Sequence, residues 1–229
     1  MFICQPIMAK NYDEIAKILS SGLDNKIDIV EIRLDTLADF NVSKLSLIST
    51  KLKEANIRLI LTLRTKKEGG AIDLDVSNYE KYIRQIIDKI DTDYIDIQRK
   101  ACTNDSRVRM LADFAKQKGK KVIISEHNFA KTQTEDKIYK SFLHINYLGA
   151  DISKIAQMAA SEQDVYSMID ATRRAAKEVG GIIGISMGEV GVATRTDAEE
   201  IGSVIAYNVA QGSMAHLSKG TGQIDILSE

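Results

Sequence analysis

Cysteine is scarce in this chain of 229 residues: Cys4 and Cys102 are the only two. Two thiols cannot build the disulfide framework of a small secreted scaffold or a multi-cysteine metal site, and they point to a reducing, cytoplasmic compartment. An excess of charge is missing too. Lys and Arg number 31 against 32 Asp and Glu, for a formal net charge of -1. Such a balance gives no long-range field to gather nucleic acid or anionic lipid, so an anionic ligand must be held by locally placed cations. Long hydrophobic runs are absent where a leader would need one. The start, Met1 to Met8, has no basic n-region and is broken at Gln5 and Pro6 before Lys10, so it reads as a first buried strand rather than a signal peptide or membrane anchor. No G-x-G-x-x-G follows that strand, which removes most support for a dinucleotide-binding open sheet. Linkers, low-complexity tracts and long internal repeats are lacking as well.

What is present suffices for a full core. With 44% hydrophobic and 28% charged residues, the chain reads as one globular domain spanning residues 1–229. Short apolar runs rich in β-branched residues alternate with amphipathic stretches, the pattern of repeated βα units on a parallel sheet. The runs centre on residues 2–7, 27–33, 58–64, 93–98, 121–127, 151–156, 181–187 and 213–217. Eight is the number that a (β/α)8 TIM barrel needs. Between them, Asn11 with Glu14, Ser77 with Glu80 and Thr196 with Glu199 have the spacing of helix-starting capping boxes. Tyr79, Tyr82, Ile83, Ile86, Ile87 and Ile90 share one helical face. A further helix is expected over residues 161–179, with Val165, Met168, Ile169, Thr172, Ala176 and Val179 inward and a left-handed stop at Gly180-Gly181.

The charged residues fall at telling places within the runs. Strand alternation sets Ile27, Ile29, Glu31 and Arg33 on one face, Ile60, Thr62 and Arg64 on another, then Ile123, Ser125 and His127, and Ile152, Lys154 and Ala156. Each face begins apolar, and polar groups at the carboxyl ends of barrel strands converge on one mouth. Taken singly, a strand-end Arg or Glu is usually a solvated rim charge. Lys154 differs, because a lysine among Ile152, Ile155 and Ala156 is costly to keep charged. Desolvation and nearby arginines are expected to depress its basicity and supply an amine able to attack a carbonyl. The alternative for it is a lysine that snorkels at the strand edge. His127 closes the preceding strand and can move protons beside that amine. The glycine-rich pieces 65–70, 184–191 and 219–222 suit anion cradles or lids, although turns use glycine for geometry alone.

Glu31-Ile32-Arg33, Arg64-Thr65-Lys66-Lys67-Glu68-Gly69-Gly70, His127-Asn128-Phe129, the segment 149–156 around Lys154, Ile185-Ser186-Met187-Gly188 with Gly191 and Arg195, and Gly222-Gln223-Ile224 resemble, in order, the signature segments of type I 3-dehydroquinate dehydratases. The resemblance implies a cytoplasmic shikimate-pathway lyase of aromatic amino-acid biosynthesis, homodimeric and free of cofactor and metal. It would convert the small molecule 3-dehydroquinate to 3-dehydroshikimate, and neither nucleic acid nor membrane is an expected partner. By that similarity Lys154 forms a Schiff base (imine) with the substrate ketone and His127 is the general acid/base. Glu68 orients His127; Glu31, Arg33 and Arg64 hold hydroxyls and neighbouring charges; Arg195 and Gln223 hold the carboxylate.

Three departures stand out. Lys219-Gly220-Thr221-Gly222-Gln223 replaces the usual Ser-Ala-Pro-Gly-Gln, Gln98 stands where relatives commonly carry Glu, and Glu229 comes soon after Gln223, where many relatives have a closing helix. Weaker lid closure is the expected result. Two other readings stay open on the residues alone. One is a class I aldolase-type barrel with residues 188–191 and 219–222 on a phosphate; the other is a non-catalytic small-molecule binder.

Overall fold

The computed structural model describes residues 1–207. Eight strands run in parallel: β1 (Phe2–Ile7), β2 (Ile29–Arg33), β3 (Arg58–Thr62), β4 (Tyr94–Gln98), β5 (Lys121–Asn128), β6 (Ile152–Met158), β7 (Ile182–Met187) and β8 (Ile205–Tyr207). The helices α1 (Tyr12–Ser20), α2 (Val42–Glu54), α3 (Val76–Lys89), α4 (Asp105–Gln117), α5 (Glu135–Tyr147), α6 (Glu162–Ala175) and the short α7 (Ala193–Thr196) alternate with them. The sheet order is β7-β6-β5-β4-β3-β2-β1-β8. Its two edges meet: the Val204 amide donates to the Ile182 carbonyl at 2.8 Å and the Gly184 amide to Ser203 Oγ at 3.1 Å. The sheet therefore curls into a nearly closed barrel, and an open doubly wound sheet is excluded.

Alternation along each strand divides the core in two. Inside the barrel, Cys4, Ile29, Ile60, Tyr94, Ile123, Ile152, Ile183 and Ile205, one from each strand, form an apolar floor. Outward-facing residues such as Val30, Leu61, Ile95 and Ile124 join helix residues such as Leu19, Ile48, Ile83, Leu111 and Phe142 in the larger core. Burying each such aliphatic side chain contributes about 1.5–3 kcal/mol. The floor plugs one end of the barrel, so the polar residues farther along the same strand faces open only toward the other.

Several expectations need correction. The eighth position in the sheet is filled by Ile205–Tyr207, and the run 213–217 expected there lies outside the described residues. Helix α3 is capped by Asp75, whose carboxylate accepts from the Asn78 amide at 2.8 Å, so Ser77 sits inside the first turn and Glu80 turns to Arg107 Nε at 2.8 Å. Thr196 ends α7 rather than starting a helix. The Asn11 cap holds, accepting from Glu14 N at 2.9 Å, but the Glu14 carboxylate reaches back to the Lys10 amide at 2.7 Å. Helix α6 starts at the expected Ser161 with a complete capping box and stops at Ala175, short of Gly180-Gly181, neither of which is left-handed.

Thr172, the polar exception on the inner face of α6, is accounted for by its neighbour. Its hydroxyl donates to the Met168 carbonyl at 2.7 Å, and a Cβ on Gly184 of β7 would stand 2.0 Å from Thr172 Oγ1. Gly184 is thus the hollow into which α6 settles. Gly184→Ala should cost about 1–3 kcal/mol by overpacking, and Thr172→Ala in that background should recover part of it, as a double-mutant cycle by urea unfolding would read. Additive losses would mean that the two positions do not share this contact.

Candidate active site

Two residues beyond the floor, the same strand faces turn polar: Glu31 on β2, Thr62 on β3, Asp96 on β4, Ser125 on β5, Lys154 on β6 and Tyr207 on β8. Lys154 lies at the centre of this layer with 3% of its surface exposed. Its Nζ donates to Tyr207 Oη at 2.8 Å and to Glu31 Oε1 at 3.4 Å, and it pairs with Asp96 Oδ2 at 3.5 Å. Snorkelling is ruled out by this burial. Its ion-pair partners are the carboxylates Glu31 and Asp96, and the nearby arginine, Arg64, stands 3.9 Å from Asp96.

Each carboxylate is fixed from its other side. Thr62 Oγ1 donates to Glu31 Oε1 at 2.7 Å and Ser125 Oγ to Asp96 Oδ1 at 2.5 Å. Burial alone would raise the pKa of Glu31, but Lys154, Arg64, the Thr62 hydroxyl and Arg33 outweigh it and hold the carboxyl below its ordinary range.

At the rim, Arg33 grips Asp35 through two bonds of 2.8 Å, from Nε and Nη2. Asp35 also accepts from the amides of Arg64 (3.2 Å) and Ala71 (3.0 Å), so one buried carboxylate ties β2 to both ends of the 64–71 loop. The Arg64 guanidinium is buried 3.9 Å from Asp96, and its Nε and Nη2 find no hydrogen-bond acceptor among the described residues.

The 64–71 loop delivers Glu68. Its short 3-10 turn, Lys66–Glu68, stops at Gly69 in the left-handed region (φ 77°), where a Cβ would also run into the Phe129 ring at 2.2 Å. Only glycine suits that position. Glu68 Oε2 then accepts from the His127 amide, lies 3.0 Å from His127 Nδ1, and accepts from Gln98 Nε2, also at 3.0 Å. Gln98 in turn accepts from the Thr65 amide at 2.8 Å and is wholly buried. With Nδ1 donating to Glu68, the lone pair of His127 sits on Nε2. Desolvation, then the positive charges of Arg64, Lys154, Arg33 and Lys100, push the pKa of His127 well below its ordinary value, leaving the ring neutral. Burial raises the Glu68 carboxyl to about 7, against the lowering effects of Gln98, Lys100 and Arg64.

Arg195 has no hydrogen bond or ion pair to Lys154, Glu31 or Asp96. On α7 it donates to the Ser186 carbonyl at 2.8 Å and the Gly188 carbonyl at 3.3 Å, lines a hollow with Val192, Thr196 and Tyr207, and makes no ion pair among the described residues. Gln223 and the 219–222 segment lie outside the described residues. Sequence reasoning missed Asp35, Asp96, Ser125 as an acceptor's partner, and Tyr207. The alternation rule that found Glu31 applies equally to Tyr94, Asp96 and Gln98 on β4, so Asp96 carried a signal; Tyr207 was hidden by the misplaced eighth strand.

A carboxyl raised from 4.5 to about 7 in the folded protein contributes stability below pH 4.5 that is lost as pH rises toward and through 7. Glu68→Gln removes this titration. Between pH 4.5 and 8, wild-type stability relative to Glu68→Gln should fall by roughly 2–3 kcal/mol, measured by urea unfolding at both ends. A constant difference would show that Glu68 titrates near its ordinary value.

The sequence profile of the type I 3-dehydroquinases matches residues 3–228. A 3-dehydroquinate dehydratase of Alkaliphilus oremlandii is 34% identical over 221 residues, covering 93% of this chain and 85% of its own. One from Clostridium kluyveri is 32% identical over 229 residues, covering 98% and 88%. The crystal structure of the type I 3-dehydroquinate dehydratase of Clostridium difficile, obtained with covalent modified comenic acid, superposes with a TM-score of 0.83 at 30% identity, covering 93% of this chain and 85% of that one. The barrel, its buried polar layer and these relatives agree that the chain belongs to the type I 3-dehydroquinase family, a family of hydro-lyases.

Proposed function

We propose that the protein dehydrates 3-dehydroquinate to 3-dehydroshikimate through a Schiff base on Lys154, with His127 as general acid and base. The observation that carries this reading is the buried Lys154 amine beside a neutral histidine: His127 lies two residues beyond Ser125, the strand partner of Lys154, on the same face of the neighbouring strand. Attack of the amine on the substrate ketone and loss of water give a protonated imine. That group withdraws electrons from the adjacent carbon and acidifies it, so that even the weakly basic, neutral ring of buried His127 can remove its proton. The electron pair released by this step expels the β-hydroxyl, which leaves as water with the proton returned by His127. Hydrolysis of the imine then frees the product and restores the lysine.

Glu68 serves by keeping Nδ1 occupied, so that the basic nitrogen is Nε2. Glu31 and Asp96 balance positive charge on the lysine nitrogen in the ammonium and iminium stages. The unpaired Nε and Nη2 of buried Arg64 would otherwise carry a desolvation penalty, and substrate oxygens would supply the missing acceptors. Arg195, free of any carboxylate partner among the described residues, suits the substrate carboxylate, with Gln223 completing that grip. Arg33 is bound bidentately to Asp35 and fits a role in shaping the rim. The proposal extends to a cytoplasmic homodimer, which gel filtration tests; among the described residues no helix is long and apolar enough to cross a membrane. The phosphate-gripping aldolase reading loses ground to the match with the 3-dehydroquinase family over residues 3–228.

Incubation with 3-dehydroquinate and borohydride, followed by peptide mapping, should place a reduced adduct on Lys154 and nowhere else. Lys154→Met should lose the adduct and at least about 10³-fold in kcat. His127→Gln should still form the adduct while turnover falls about 10²–10⁴-fold. No adduct together with no dehydroshikimate absorbance would overturn the assignment.

A further inference from the structure

We propose that Tyr207 is a further catalytic residue of this enzyme, the group that aims the Lys154 amine at the substrate ketone. The inference rests on the reading of Lys154 as the imine-forming lysine. It starts from the closing strand. In β8, Ile205 belongs to the apolar floor, so Tyr207, two residues on, points into the barrel at the level of the polar layer, opposite Cys4 of β1. Its hydroxyl lies 2.8 Å from Lys154 Nζ, nearer than Glu31 (3.4 Å) or Asp96 (3.5 Å), and its ring centroid is 4.1 Å from the same nitrogen.

An ammonium has three N–H bonds, and the three partners come from three different strands, β2, β4 and β8. They are not equivalent. A carboxylate can only accept. A phenol accepts from the ammonium and can also donate once the nitrogen has lost a proton, so it is the one partner able to follow Nζ through its change of protonation state. Burial, reinforced by the nearby Glu31, Cys4 and Asp96, pushes the Tyr207 hydroxyl well above its ordinary pKa, so it keeps the proton this task needs. A lysine side chain is also long and flexible, and an error of about 1 Å in aim can cost about 10²-fold in rate. The hydroxyl of a rigid side chain on a strand limits that freedom at the reacting atom itself.

The test is Tyr207→Phe in the full chain, which keeps the ring and removes only the oxygen. Under single-turnover conditions with 3-dehydroquinate and borohydride, the rate of adduct formation on Lys154 should fall about tenfold. In the steady state kcat should fall by a similar factor, with KM within about twofold. A substrate deuterated at the carbon that loses its proton adds a readout that general loosening would not move. As imine formation becomes limiting, the isotope effect on kcat should shrink toward one. Trapping in wild type and variant at rates within twofold, with an unchanged isotope effect, would overturn the role of Tyr207. Absence of trapping in the wild type would instead overturn the Lys154 reading. Should Tyr207→Phe fail to fold by circular dichroism, 3-fluorotyrosine at position 207 decides by the same trapping rate. A change beyond twofold supports the proposal and an unchanged rate removes it.

Discussion

Everything in the upper half of the barrel is arranged around one buried positive charge. Lys154 sits with its nitrogen among Glu31, Asp96 and Tyr207, and Arg64 adds a second cation beside Asp96. Two lysine and arginine charges against two carboxylates leave the layer close to neutral. Such a set is expensive to bury and gains little in net stability over apolar residues of similar size, but losing one member would strand the others, at a cost of about 3–5 kcal/mol. A layer of this kind is therefore better understood through what it does than through what it stabilises. The apolar floor beneath makes it affordable, since eight side chains from eight strands seal the barrel and set the depth at which the charges sit.

The sequence carried the fold well and the site less evenly. Seven of the eight strands were legible because their inward and outward faces both differ from the helices in period, and the helix containing Tyr79 and Ile83 was legible from its apolar stripe. The eighth was misplaced because Ile205–Tyr207 is a three-residue strand preceded by Gly202 and Ser203, too short to give alternation a foothold. The cap was read correctly at Asn11, where the residue before the helix had no rival, and wrongly where Asp75 stood two residues ahead of Ser77.

Within the site, Lys154 meets Glu31 and His127 meets Glu68, the first pair drawn from strand faces and the second from a strand end and a loop. Periodicity says which way a side chain points and nothing about who meets it across a barrel. That is why the bidentate bond of Arg33 to Asp35 and the pairing of Lys154 with Glu31 and Asp96 emerged only from the structure. Gln98 is the instructive departure. As an amide it both donates to Glu68 and accepts from the Thr65 amide, whereas a carboxylate there would face Glu68 at the same distance with no proton of its own to offer.

The loop that bears Glu68 is closed on itself before any ligand arrives. The Lys66 amide bonds to Ile72, the Gly70 amide to Thr65, Asp35 clasps both ends, and Phe129 lies across Gly69. A proton shuttle hung on a loose loop would have to be ordered anew in every turnover, and that ordering would appear in the barrier. Here the orientation of His127 is inherited from the folding of the backbone, so in the proposed mechanism the cost of aligning it is met once per molecule rather than once per reaction.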